Sequence, residues 1–181
     1  MNLKYLPNAL TLLRLALIVP FLFYLFQAEY LLTFIIFFTA GLTDGLDGWL
    51  ARHFNWQTPF GSIVDPIADK LLIATSFISL GLLNQLPWWL VIIVFARDFT
   101  ISVGVLTWYW VVKKPIPFRP TLLSKWNTTI QLMLVTLCLF ELAFFKLPFY
   151  FTPIAMYLTA ITTFASYVDY IRRAITNQPV T

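Results

Sequence analysis

Four of the eight acidic residues of this sequence, Asp44, Asp47, Asp65 and Asp69, fall within one short stretch of an otherwise apolar chain. Separations of three and four residues put Asp44 with Asp47, and Asp65 with Asp69, on one face of a helix in each case. Antiparallel helices joined by a short loop would carry the two faces to the same depth, where all four carboxylates converge. Like charges in so small a volume must either hold protons or be neutralised by multivalent cations. Hard oxygen ligands of this kind suit magnesium or manganese rather than zinc, which favours the cations. Gly45, Gly48 and Gly61 remove side chains where a ligand would need close approach to backbone, and Arg52 lies one turn beyond Gly48. A guanidinium beside glycine-lined backbone and metal-binding carboxylates suits a pyrophosphate.

Further polar residues stand at helical spacing. Asn8, Thr11 and Arg14 follow one another by three along an apolar N-terminal stretch. Arg97, followed by Asp98, lies deep in a later apolar stretch, where a charge costs at least ~2.5–3.5 kcal/mol and calls for a partner. Ser124, Asn127, Thr128 and Gln131 form a polar stripe able to face a site, with Lys125 beside it. Cys138 is the sole cysteine, so no intrachain disulfide exists and an apolar setting makes it a packing residue. No His or Cys cluster with metal-ligand spacing is present.

The elements that must position these groups follow from composition. The 181 residues are 60% hydrophobic and 11% charged, against roughly 25% charged for soluble domains. About 20 apolar residues cross a bilayer as a helix, and six such stretches lie end to end, near 6–26, 30–50, 62–84, 87–112, 122–142 and 149–171. The expectation is an all-α, polytopic membrane protein with six transmembrane helices and a single membrane domain over 1–181. Lys4, Arg14, Arg52, Lys70, Lys113, Lys114, Arg119, Lys125, Arg172 and Arg173 fall near one face of that arrangement and Lys146 near the other. Basic residues accumulate on the cytoplasmic side, so both termini and the acidic cluster are expected there. The net charge of +4 then reads as topology and attraction to anionic lipid, not as nucleic-acid binding. The first stretch is expected to stay on the mature protein: Arg14 interrupts it, no small-residue cleavage site follows, and the second begins almost at once.

Read straight through, Asp44, Asp47, Gly48, Ala51, Arg52, Gly61, Asp65 and Asp69 match every fixed position of a family signature: Asp, two residues, Asp-Gly, two residues, Ala-Arg, eight residues, Gly, three residues, Asp, three residues, Asp. On these residues the chain resembles the CDP-alcohol phosphotransferases, over essentially its whole length. The resemblance implies six spans with cytoplasmic termini, a homodimer, and transfer of a substituted phosphate group from a CDP-activated lipid to an alcohol. It further implies that Asp44, Asp47, Asp65 and Asp69 bind two divalent cations, that Gly48, Arg52 and Gly61 contact the CMP moiety, with Ala51 beside them, and that Asp69 is also the general base.

Pro7, Asn8, Thr11 and Arg14 resemble the opening of the branch that makes phosphatidylglycerol phosphate or cardiolipin, which assigns Asn8, Thr11 and Arg14 to the donor's head-group region. Ala96, Arg97 and Asp98 resemble an Ala-Arg-Glu element of phosphatidylglycerophosphate synthases, but the second arginine those enzymes carry eight residues later is Val105 here. Pro120, Thr121, Ser124, Lys125, Asn127, Thr128 and Gln131 are similar to the segment opening the fifth span of mitochondrial-type cardiolipin synthases. One cation fewer fits a singly charged phosphodiester better than a dianion. The expected donor is therefore CDP-diacylglycerol and the preferred acceptor phosphatidylglycerol, held by Arg97, Ser124, Lys125, Asn127 and Gln131, in a bacterial inner membrane. Glycerol 3-phosphate is the second acceptor reading. A divalent-cation transporter would spread its acids through the membrane's depth, and a silent lipid-binding relative would not need all four.

Overall fold

The computed structural model describes residues 6–54, 56, 59–112 and 122–176, with side chains at 6–7, 47–52, 59–60, 62–63, 105–112 and 173–176 outside the description. Six helices follow in order: α1 Leu6–Phe26, α2 Tyr30–His53, α3 Pro59–Leu82, α4 Trp88–Val112, α5 Leu122–Ala143 and α6 Phe151–Thr176. No strand occurs among the described residues. A helix satisfies its backbone hydrogen bonds internally, which is the condition for entering hydrocarbon. Among the described residues three helices are long and apolar enough to cross a membrane, Asn8–Phe26, Leu122–Ala143 and Phe151–Arg172, with a shorter apolar helix at Tyr30–Leu46.

Short turns separate the helices where the sequence breaks its apolar runs. After α1, the Glu29 amide donates to the Tyr24 carbonyl at 3.0 Å and the Ala28 amide to that of Leu25 at 3.2 Å. This is a Schellman cap, and it needs a left-handed residue at Ala28, whose φ is 60°. After α3 the left-handed position is filled by Asn84, φ 55°, a residue type that tolerates it. Pro87 follows and accepts the first bond of α4, from the Leu90 amide at 3.0 Å.

Two compact units make up the chain: Met1–Leu83 with Val135–Lys146, and Asn84–Leu134 with Leu147–Thr181. In the first, Phe21 of α1 packs against Phe37 of α2 with ring centroids 5.9 Å apart, over buried Leu25, Ala40, Leu72 and Phe77. Phe34 of α2 meets Phe140 and Phe144 edge-on at 6.1 and 5.5 Å. In the second, Trp89 of α4 stacks with Tyr157 of α6 at 6.3 Å. Lower in the same pair of helices, Gly104 is required by close approach, since a methyl there would overlap the Tyr170 hydroxyl. On α6, Tyr157, Ile161, Phe164 and Val168 are exposed while Thr159, Thr163 and Ser166 are buried. Apolar faces turned out and hydroxyls turned in are the reverse of a water-soluble helix, and suit lipid as the surrounding medium.

Candidate active site

The first unit gathers its polar groups around α1. Arg14, wholly buried, sends Nη2 to Asp44 Oδ1 of α2 at 2.8 Å and Nη1 to Asp69 Oδ1 of α3. One turn earlier on α1, Thr11 donates to Asp65 Oδ1 at 2.5 Å, and Asp65 itself lies one turn before Asp69 on α3. Thr11 with Asp65 and Arg14 with Asp69 are thus two successive rungs between helices running in the same sense, and α2, running back, supplies Asp44 beside the second rung. Helical spacing put Thr11 and Arg14 on one face, and that face meets the acids.

The carboxylates of Asp44 and Asp69 remain 41% and 40% exposed while their shared cation is enclosed. An enclosed guanidinium between two half-open carboxylates holds the acids at a fixed separation and leaves them a face toward the surroundings. Gly61 is buried near the start of α3 and Asn8 is half-buried on α1. Asp47, Gly48, Ala51 and Arg52 belong to α2, and their side chains lie outside the described residues. Among the described residues no three His, Cys, Asp or Glu side chains are grouped closely enough to hold a metal ion. The donor set nonetheless fits a hard divalent cation in type: three carboxylates on adjacent helices, two of them already converging on one cation.

The second unit holds the other charged cluster. Arg97 of α4, 7% exposed, pairs with Asp98 at 2.5 Å and donates to Ser124 Oγ of α5 at 2.7 Å and Ser166 Oγ of α6 at 2.5 Å. Asp98 neutralises the charge and the two hydroxyls take the other guanidinium nitrogen. Asn127, one turn after Ser124, accepts at Oδ1 from Thr162 at 3.0 Å and Thr163 at 2.9 Å, both on α6. Gln131, a further turn on, is buried, Thr128 bonds back to the Ser124 carbonyl at 3.2 Å, and Lys125 is exposed. Of the five acceptor candidates, the structure brings Arg97 and Ser124 together, encloses Asn127 and Gln131 and leaves Lys125 at the surface. Val105 lies in α4 with its side chain outside the described residues.

Thr162, Thr163 and Ser166 complete this cluster without having been singled out from the sequence. Their signal was present: hydroxyl residues at 159, 163 and 166 recur by four and three along a helix whose other faces are aromatic and aliphatic. Small hydroxyls in an apolar helix carry no charge to draw attention, and only the helix packing shows that they face polar partners.

The family profile described as CDP-alcohol phosphatidyltransferase matches residues 4–165, taking in both clusters except Ser166. The chain belongs to the CDP-alcohol phosphatidyltransferase family. Members of this family are polytopic membrane proteins and are in general divalent-cation dependent. The "probable phosphatidylglycerophosphate synthase" of Mycobacterium tuberculosis is 43% identical over 104 residues, covering 54% of this chain and 50% of that protein. The "probable cardiolipin synthase (CMP-forming)" of Drosophila melanogaster is 36% identical over 186 aligned positions, covering 94% and 58%. The "CDP-diacylglycerol–glycerol-3-phosphate 3-phosphatidyltransferase" of Bacillus subtilis is 30% identical, covering 91% and 92%. The chain spans about half the length of the Mycobacterium and Drosophila relatives it matches.

Proposed function

We propose that this CDP-alcohol phosphatidyltransferase moves a phosphatidyl group from CDP-diacylglycerol to the primary hydroxyl of phosphatidylglycerol, giving cardiolipin and CMP. The observation that carries the reaction class is the convergence of three signature acids, Asp44, Asp65 and Asp69, on Thr11 and Arg14 of one neighbouring helix. On this reading Asp44, Asp47, Asp65 and Asp69 hold two divalent cations, magnesium or manganese. When bound, such ions offset charge on the entering and leaving oxygens of a phosphoryl displacement.

The remaining work falls to the chain's own groups. Asp69 accepts the proton of the acceptor hydroxyl as its oxygen attacks the lipid-linked phosphorus. The bond from that phosphorus to the bridging oxygen breaks, and CMP leaves with the electron pair. Arg14 fixes the orientation of Asp44 and Asp69 from behind and, with Asn8 and Thr11, flanks the donor. Gly48, Ala51, Arg52 and Gly61 take the CMP moiety, Arg52 as the cation for its phosphate.

For the acceptor, what supports phosphatidylglycerol is that Arg97 is already neutralised by Asp98 and capped by Ser124 and Ser166. A singly charged phosphodiester asks less of such a group than a dianion. Glycerol 3-phosphate, giving phosphatidylglycerol phosphate, is the second reading, favoured by the nearly full-length likeness to the Bacillus relative. The accompanying topology is six crossings with the acids and basic loops on the cytoplasmic side of a bacterial inner membrane, in a homodimer. Purified protein with magnesium or manganese and radiolabelled CDP-diacylglycerol, offered the two acceptors separately, decides the matter. Cardiolipin with CMP release is expected, and phosphatidylglycerol phosphate alone would show that one arginine suffices for the dianion.

A further inference from the structure

Within the first unit, most helical hydroxyls stay on their own helix. Thr33, Thr39, Thr75, Ser76 and Ser79 each donate to a carbonyl one turn back, at 2.7–2.9 Å. A hydroxyl in an apolar helix is satisfied in that way and needs no second helix. Thr11 of α1, 1% exposed, reaches across to Asp65 Oδ1 of α3 at 2.5 Å. That spacing is the one a hydroxyl takes on a carboxylate. Enclosed as it is, the Thr11 hydroxyl cannot trade this partner for bulk water. A valine would fill the same volume, so packing alone does not call for the oxygen.

Asp65 stands where α3 is weakened. The next residue, Pro66, lies inside the helix and has no N–H to return to the turn before it. A side chain on backbone short of one helical bond is held less firmly by its own helix. Arg14 fixes Asp44 and Asp69, and the bond from Thr11 is what α1 offers Asp65. We infer that Thr11 is a positioning residue for metal binding: beyond flanking the donor, it holds one oxygen of Asp65 and so fixes the direction of a carboxylate that ligates a divalent cation. The inference rests on the reading that the signature acids hold such ions and is independent of the acceptor. Partners that orient a ligating group are worth about 10–100-fold in metal affinity.

The test measures manganese binding directly, from the electron paramagnetic resonance signal of free Mn²⁺ titrated with the purified full-length protein in detergent. Thr11→Val keeps the branched shape and removes the hydroxyl, and its apparent dissociation constant for manganese should rise about tenfold or more. Thr11→Ser, which restores a hydroxyl, should recover most of that loss. Turnover lost by Thr11→Val should return as manganese is raised, which a lost donor contact would not allow. Melting curves verify folding, and if Thr11→Val does not fold, Thr11→Ser against Thr11→Ala makes the same comparison of a hydroxyl with none. An unchanged manganese constant in Thr11→Val overturns the inference alone. So does a turnover loss that added manganese leaves in place while KM for CDP-diacylglycerol rises. If the unaltered protein binds no manganese, or Asp65→Asn binds it equally well, the reading of the acids as ligands falls, and the role of Thr11 with it.

Discussion

At the scale of single residues, Arg14 does what a bound cation would otherwise have to do. Its guanidinium is fully enclosed between Asp44 and Asp69, and those carboxylates are about two-fifths exposed, so solvent and counter-ions already screen part of their repulsion. Removing one member of an enclosed pair costs several kcal/mol when both partners are dry; with half-open carboxylates the figure drops to about 1–2 kcal/mol. Arg14→Gln should therefore lower the melting midpoint in detergent by a few degrees, and added magnesium or manganese should recover part of the loss by taking over the charge. A midpoint equal to that of the unaltered protein would show that the pair does not hold the site together. Asp69→Asn separates chemistry from binding. The amide keeps the size and one acceptor oxygen but cannot take the proton, so turnover should fall by about 10²–10⁴-fold while the CMP-induced thermal shift persists. Chelation of divalent ions should instead abolish turnover in both proteins. Retention of wild-type turnover by Asp69→Asn would remove the residue from the role of base.

At the scale of elements, each helix is specified by its own stretch of sequence. The helices start and stop within a few residues of the expected stretches because apolar runs of this length leave the backbone one way to satisfy itself in lipid, and the breaks at 27–29 and 84–87 carry residues that cap or start helices. The acid pairs were legible for the same reason: three- and four-residue spacings are a property of α2 and α3 alone. What was not legible is contact between helices. Arg14 was assigned to the donor from its own helix face, and nothing within α1 says that Asp44 and Asp69 stand opposite. Ser166 and Thr163 carry no such mark either, since their partners, Arg97 and Asn127, lie on other helices. Gly104 belongs with these. It is an ordinary glycine in an apolar run until Tyr170 of α6 is placed against it. Gly104→Ala should destabilise by about 1–3 kcal/mol, since the added methyl must displace the tyrosine ring end. In a Tyr170→Phe background the same change should cost much less, and the coupling from the double-mutant cycle measures the overlap. Equal costs in the two backgrounds would mean that the helices shift apart freely.

For the whole molecule the open quantity is how many of the six helices cross the membrane. Length and apolarity single out Asn8–Phe26, Leu122–Ala143 and Phe151–Arg172 among the described residues, whereas the acid pairs make α2 and α3 expensive to insert. Their cost falls if the charges are paired, and Asp44, Asp65 and Asp69 meet that condition through partners on α1. The basic residues bear on the same question: Lys113, Lys114, Arg119 and Arg172 would share one side of the membrane under six crossings, as the positive-inside rule favours. Six crossings and three crossings then disagree at one accessible point. With the N-terminus on the cytoplasmic side, as proposed, both put Gln27 outside, but six return the chain so that His53 lies inside, while three leave His53 on the side of Gln27. Both positions are exposed, and the one native cysteine, Cys138, is buried and should give little background. In intact cells a membrane-impermeant thiol reagent should label Gln27→Cys and leave His53→Cys unreacted until the cells are permeabilised. Equal labelling of the two from outside would mean that α2 does not cross.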